Sequence, residues 1–100
     1  MRVLPEPGRE SLEIAVVLHA LGDPVRLELV HRLAAGREIS CSPEGVQVPR
    51  STLSNHWRIL REAGVTSTRI DGKNRMVSLR REDLDVRFPG LLDVVLKELG

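Results

Sequence analysis

The side chains in this 100-residue chain that could do chemistry fall into two runs. Arg50, Ser51, Thr52, Ser54, Asn55, His56 and Arg58 form the first; Arg69, Lys73, Asn74 and Arg75 form the second. Both are short polar or cationic residues, the chemistry of a phosphate or base contact rather than of bond making. Arg binds guanine bidentately and Asn binds adenine bidentately, so Asn55 and Arg58 are the candidates for base edges. Phosphate contact is the alternative for both. Arg50, Ser51, Thr52 and Ser54 suit phosphates, because a helix N-terminus offers free amides and the positive end of a dipole. Catalysis is poorly served. Ser54 and His56 are two apart on a helix, so their side chains diverge by about 200° and cannot pair as nucleophile and base. There is no glycine-rich phosphate loop and no paired-carboxylate site.

Charge distribution points the same way. The net charge is only +1, but residues 50–81 carry eight Lys/Arg against Glu62 and Asp71, while both flanks are net negative. A basic middle in an acidic chain is the electrostatic footprint of a polyanion partner, although a solvated surface can also cluster charge.

These residues need elements to position them. Residues 1–9 read as an extended arm, with two prolines and a glycine, ahead of a single domain over 10–100. A first helix is expected from about Glu10 to Leu21, too apolar for a helix buried on one side only. Asp23 as N-cap and Pro24 at the first helical position start a second helix, which runs to about Ala35 with Val25, Leu27, Leu29, Val30 and Leu33 inward. Residues 37–50 contain Pro43, Gly45 and Pro49, so a loop or a short distorted helical turn is expected. A third helix spans about 50–63. Leu53, Trp57 and Leu60 lie on one face of it, and Ser51, Asn55, Arg58 and Glu62 on the other, at about 100° per residue. Arg61 lies near the inward edge, where an acid on another helix could meet it. TSTRI (66–70), DGKN (71–74) and RMVSL (75–79) read as a hairpin with a tight turn at Asp71-Gly72. Residues 80–89 read as a polar connector. A final helix over about 90–99 is, like the first, apolar on more than one side.

Helix, helix, turn, helix, hairpin, helix is the order of a winged helix-turn-helix: a mainly α fold with a small β-hairpin. LGDPVRLELVHRLAAG (21–36), STLSNHWRILREAG (51–64) and VTSTRIDGKNRMVSL (65–79) together resemble the ArsR/SmtB-type bacterial repressors. The shared pattern is a Leu-x-Asp-Pro-x-Arg helix start, a Ser-x-x-Ser-x-His recognition helix, a Leu-Arg-Glu-Ala-Gly end and a basic wing, over roughly residues 12–80. The resemblance implies a homodimer built from the first and last helices. It also implies binding to an imperfect inverted repeat in double-stranded DNA, and repression relieved by a metal or small-molecule effector. It sets a histidine at His56, where the ring either touches phosphate or braces the helix. The chain departs from the family in two places. The first helix of the family's helix-turn-helix falls where this chain has CSPEGVQVP, and Trp57 stands where the family usually has an aliphatic residue, so the core must be reshaped around an indole.

Metal sensing, frequent in that family, is not expected. Ser40-Cys41-Ser42 offers one thiol where the family's site has a Cys-x-Cys pair, residues 82–100 contain no His, and His19, His31 and His56 lie on three different helices. Cys41 is a small inert side chain, a ligand of a different kind of metal site shared with an N-terminal residue, or a redox-sensing thiol, which would need positive charge nearby; Arg37 is four residues away. A lone cysteine excludes an internal disulfide, and no apolar run reaches the roughly 18 residues of a membrane span. The reading is a cytoplasmic, cofactor-free, dimeric DNA-binding repressor. The alternative is a winged-helix protein-interaction module without operator binding.

Overall fold

The computed structural model describes residues 2–100. Their order is β1 (Arg2–Val3), a 3-10 turn at Arg9–Ser11, α1 (Ile14–Leu21), α2 (Pro24–Leu33), β2 (Ile39–Ser40), α3 (Arg50–Ala63), β3 (Thr66–Asp71), β4 (Asn74–Leu79), α4 (Arg81–Arg87) and α5 (Leu91–Leu99). The strands form one antiparallel sheet in the order β1-β3-β4-β2.

The core is aliphatic apart from Trp57. Val17, Leu29, Val30, Leu60, Val65 and Val77 are fully enclosed and join α1, α2, α3 and the sheet. Within α3, Leu53, Trp57 and Leu60 are buried and Ser51, Asn55, Arg58 and Glu62 are exposed, as the spacing predicts. The β3–β4 hairpin also forms as predicted, with Asp71 opposite Asn74 and Gly72 at φ +61° as the first residue of the two-residue loop. Asp23 caps α2, its carboxylate accepting from the amides of Val25 (2.9 Å) and Arg26 (3.1 Å).

Four expectations need correction or completion. The first helix starts at Ile14, not near Glu10, because Leu12 turns extended and buries itself against Gly64. The second ends at Leu33 rather than Ala35. Residues 81–87, read as a connector, form α4. Its only buried side chain is Leu84, so no apolar period marks it, but Glu82 and Asp83 in its first turn and Arg87 in its last suit the helix dipole. Finally, of the two alternatives for residues 37–50, the structure has β2 followed by irregular chain, with no helix between α2 and α3.

The N-terminal stretch 1–9, whose first residue lies outside the described ones, is extended over Arg2–Val3 and pairs with Ile70 and Arg69 of β3. Side-chain contacts hold residues 6–9 in place. Ser67 donates to Glu6 (2.6 Å), Arg80 donates to the carbonyl of Pro7 (2.7 Å), and Arg9 donates to Asp83 (2.6 Å).

Candidate nucleic-acid interface

Two elements build the site, α3 and the hairpin. Helix α3 is oriented by contacts on both flanks. On one flank His56 faces α2: the Arg26 guanidinium meets His56 Nδ1 at 3.1 Å, and Asp23 Oδ2 lies 3.8 Å from the same nitrogen. A guanidinium only donates, so Nδ1 accepts and the ring's hydrogen sits on Nε2. Arg26 also donates to the carbonyls of Ala20 (2.6 Å) and His19 (3.3 Å), capping α1. One buried cation thus ties three helices together. The backbone amide of Arg26, and then its guanidinium charge, hold the Asp23 carboxyl below the ordinary range. On the other flank the Trp57 indole N–H donates to the carbonyl of Cys41 (2.6 Å), pinning the irregular segment that stands where a helix was expected from the resemblance.

Of the sequence-predicted site residues, Arg50, Ser51, Thr52, Ser54, Asn55 and Arg58 are all exposed on α3. Arg58 donates to Asn55 (2.5 Å) and to Glu62 (3.0 Å) along the helix surface. Lys73, Asn74 and Arg75 are exposed at the hairpin tip. Arg69 does not join them: it donates twice to Glu38 (2.5 and 2.6 Å) and lies 3.5 Å from Asp71, which braces the hairpin against the segment before β2. That pairing holds the Glu38 carboxyl below its usual range. His56 is half-buried in the contacts described above.

Sequence reasoning missed Arg26, although the Leu-x-Asp-Pro-x-Arg motif carried the signal. Its place among Val25, Leu27 and Leu29 gave no hint that the guanidinium is buried. The expectation that Arg61 could find an acid on another helix fails: its Nε is buried without a hydrogen-bond partner and no carboxylate among the described residues pairs with it. The other cations of residues 50–81 divide cleanly. Arg58, Arg69, Arg80 and Arg81 have acidic partners, while Arg50, Lys73 and Arg75 have none among the described residues. Among the described residues no three His, Cys, Asp or Glu side chains are grouped to hold a metal ion.

A basic hairpin beside a helix with a short polar outer face, over a three-helix core, defines a winged helix-turn-helix DNA-binding regulator. Comparison with known proteins gives the family. Residues 21–69 match a helix-turn-helix domain family. The chain is 37% identical over 84 residues to the uncharacterized HTH-type transcriptional regulator YceK of Bacillus subtilis (strain 168), covering 81% of this chain and 84% of that protein. It is 35% identical to the arsenical resistance operon repressor of Staphylococcus xylosus, covering 73% of this chain and 71% of that one. The crystal structure of the transcriptional repressor BigR from Xylella fastidiosa superposes with a TM-score of 0.67 at 28% identity, covering 87% and 86% of the two chains. The chain belongs to the ArsR family of winged helix-turn-helix transcriptional regulators.

Proposed function

We propose that this protein is a homodimeric repressor that binds an inverted-repeat operator, with α3 in the major groove and the hairpin on the flanking backbone. The carrying observation is the division of α3 into a buried face and an exposed face of Ser51, Asn55 and Arg58, flanked by Arg50, Lys73 and Arg75, which have no acidic partner among the described residues. Arg58 and Asn55 are assigned to base edges; Arg50, Ser51, Thr52, Ser54, Lys73, Asn74 and Arg75 to phosphate and groove contacts. The internal pairs of Arg58 do not oppose this. Exposed pairs of that spacing are worth about 0.2–0.5 kcal/mol each, against about 1–3 kcal/mol for a bidentate base contact. His56 acts by bracing α3, and Arg69 by bracing the hairpin.

The dimer is assigned to the terminal helices. Ile14, Val16 and Leu18 of α1 are 45, 42 and 50% exposed and Val94 of α5 is 62% exposed, apolar surface that a second copy would cover. Among the described residues no helix is long and apolar enough to cross a membrane, which accords with a cytoplasmic protein. We assign no catalytic function and no cofactor.

The test is fluorescence anisotropy with a labelled duplex from the gene's own upstream region beside a scrambled duplex, at two salt concentrations. Tight binding to the first alone, weakening with salt as several phosphate contacts require, is expected. Absence of binding to either at low salt overturns the reading in favour of a protein-interaction module.

A further inference from the structure

Four cations without partners among the described residues, Arg50, Arg61, Lys73 and Arg75, are gathered in one place. Arg50, Ser54, Trp57 and Arg61 recur at i, i+4, i+7 and i+11, which places them in an arc of about 60° on α3. That arc faces the hairpin across a cleft of about 500 Å³. Arg50 and Arg61 line it from the helix, Lys73 and Arg75 from the hairpin, and Cys41 from the segment after β2. Among the described residues none of these four cations makes a salt bridge or side-chain hydrogen bond, no carboxylate lines the cleft, and Arg61 Nε is buried there unsatisfied. Elsewhere most arginines are paired: Arg9, Arg26, Arg32, Arg58, Arg69, Arg80, Arg81 and Arg87 have partners, while Arg2 and Arg37 have none among the described residues. Four like charges converging on one concavity repel one another, and an orphaned buried donor costs free energy. Both penalties are relieved by a bound oxyanion. Leu53 and Trp57 add apolar wall, and the volume falls in the range of small-ligand pockets, larger than a lone phosphate needs.

We propose that this cleft binds a small phosphorylated molecule, its phosphoryl group held by Arg61 with Arg50, Lys73 and Arg75 and its organic body against Leu53 and Trp57. Since Arg50, Lys73 and Arg75 are also the cations assigned to DNA phosphate, the ligand and the operator exclude one another. That exclusion rests on the operator-binding reading; occupancy of the cleft does not. The phosphoryl chemistry has a second source, a backbone phosphate of the DNA itself, and the experiment separates the two.

Trp57 is the only tryptophan and lines the cleft, so its emission reports occupancy without a label. Sodium pyrophosphate is titrated into the full-length protein, with sodium chloride at matched ionic strength as control and no DNA present. A saturating change with pyrophosphate alone is expected, weakened at least about tenfold in Arg61→Gln, which removes a charge-assisted contact. Ser42→Glu places a carboxylate in the cleft from an exposed loop position that leaves the core untouched, and is expected to weaken binding likewise. Equal responses to pyrophosphate and chloride, or unchanged affinity in Ser42→Glu, overturn the proposal. In a second arm, Arg61→Gln is expected to keep its affinity for a DNA duplex within about threefold in phosphate-free buffer while pyrophosphate no longer displaces that duplex. Loss of DNA and pyrophosphate binding together, in a variant with unchanged circular dichroism, would show the cleft to be a seat for DNA phosphate and overturn the small-molecule site.

Discussion

The guanidinium of Arg26 and the imidazole Nδ1 of His56 meet at 3.1 Å across 30 residues of sequence. They join the two most distinctive motifs of the chain, the Asp-Pro-x-Arg start of α2 and the Ser-x-His of α3. The orientation of α3 therefore depends on a buried polar contact as well as on Leu53, Trp57 and Leu60. Arg26 is 7% exposed, so its acceptors could not turn to water if it were removed.

Arg26→Ala leaves the carbonyls of His19 and Ala20 and the ring of His56 without a donor, and is expected to cost about 2–4 kcal/mol of stability. Arg26→Lys should recover only part of this, because one ammonium cannot span the three acceptors that the planar fork reaches. Urea unfolding of Arg26→Ala, His56→Ala and the double variant measures the coupling, expected at about 0.5–3 kcal/mol. Strict additivity would remove His56 from the brace.

Arg58→Ala should separate recognition from folding. Its two helix-surface partners, Asn55 and Glu62, are exposed and together worth at most about 1 kcal/mol, so the melting temperature should fall by no more than roughly 4–8 °C with the cooperative transition kept. Affinity for the operator should fall by about 1–3 kcal/mol while affinity for a scrambled duplex changes little. Equal loss on both duplexes would reassign Arg58 to phosphate.

Gly64 ends α3 at φ +84°, and a Cβ there would collide with Leu12 Cδ2 and crowd Pro7. Gly64→Ala thus combines left-handed strain with overpacking and should cost about 2–4 kcal/mol. The denaturation midpoint should drop with an unchanged slope. A midpoint equal to the parent's would mean that Leu12 moves aside without loss.

Acid should weaken the fold through three carboxylates. Asp23 is held low by the amide of Arg26, Glu38 by its hydrogen bond from Arg69, and Asp83 by the hydrogen bond from Arg9 and then that from Arg80. Each binds its proton less readily folded than unfolded. Their stabilisation is therefore complete above the ordinary carboxylate range and is lost as pH falls through the depressed folded values, below about pH 4. Thermal melts from pH 7 to pH 2.5 should show the decline confined to the acid end, and Glu38→Gln should make it shallower. A Glu38→Gln decline as steep as the parent's would count against the Arg69 brace.

Local chemistry made much of the molecule legible from sequence alone. Asp23-Pro24 announced α2, the spacing of Leu53, Trp57 and Leu60 set the buried face of α3, and Asp71-Gly72 marked the hairpin, because caps, helical periods and tight turns are written in residues at most a few positions apart. The exposed face of α3 comes from the same arithmetic, so most candidate DNA contacts were legible with it. What the sequence could not specify are contacts between residues distant in the chain. Leu12 leaves the helical pattern because Gly64 opens a space for it; α4 forms around a single buried Leu84; Arg69 is committed to Glu38; and Arg26 becomes the brace of α3. The cleft belongs to the same class. Arg61 and Arg75 are merely two charges in the sequence until the packing of α3 beside the hairpin sets them on facing walls of one cleft with no acid to answer them, since a side chain's electrostatic partners are chosen by three-dimensional proximity that no local pattern encodes.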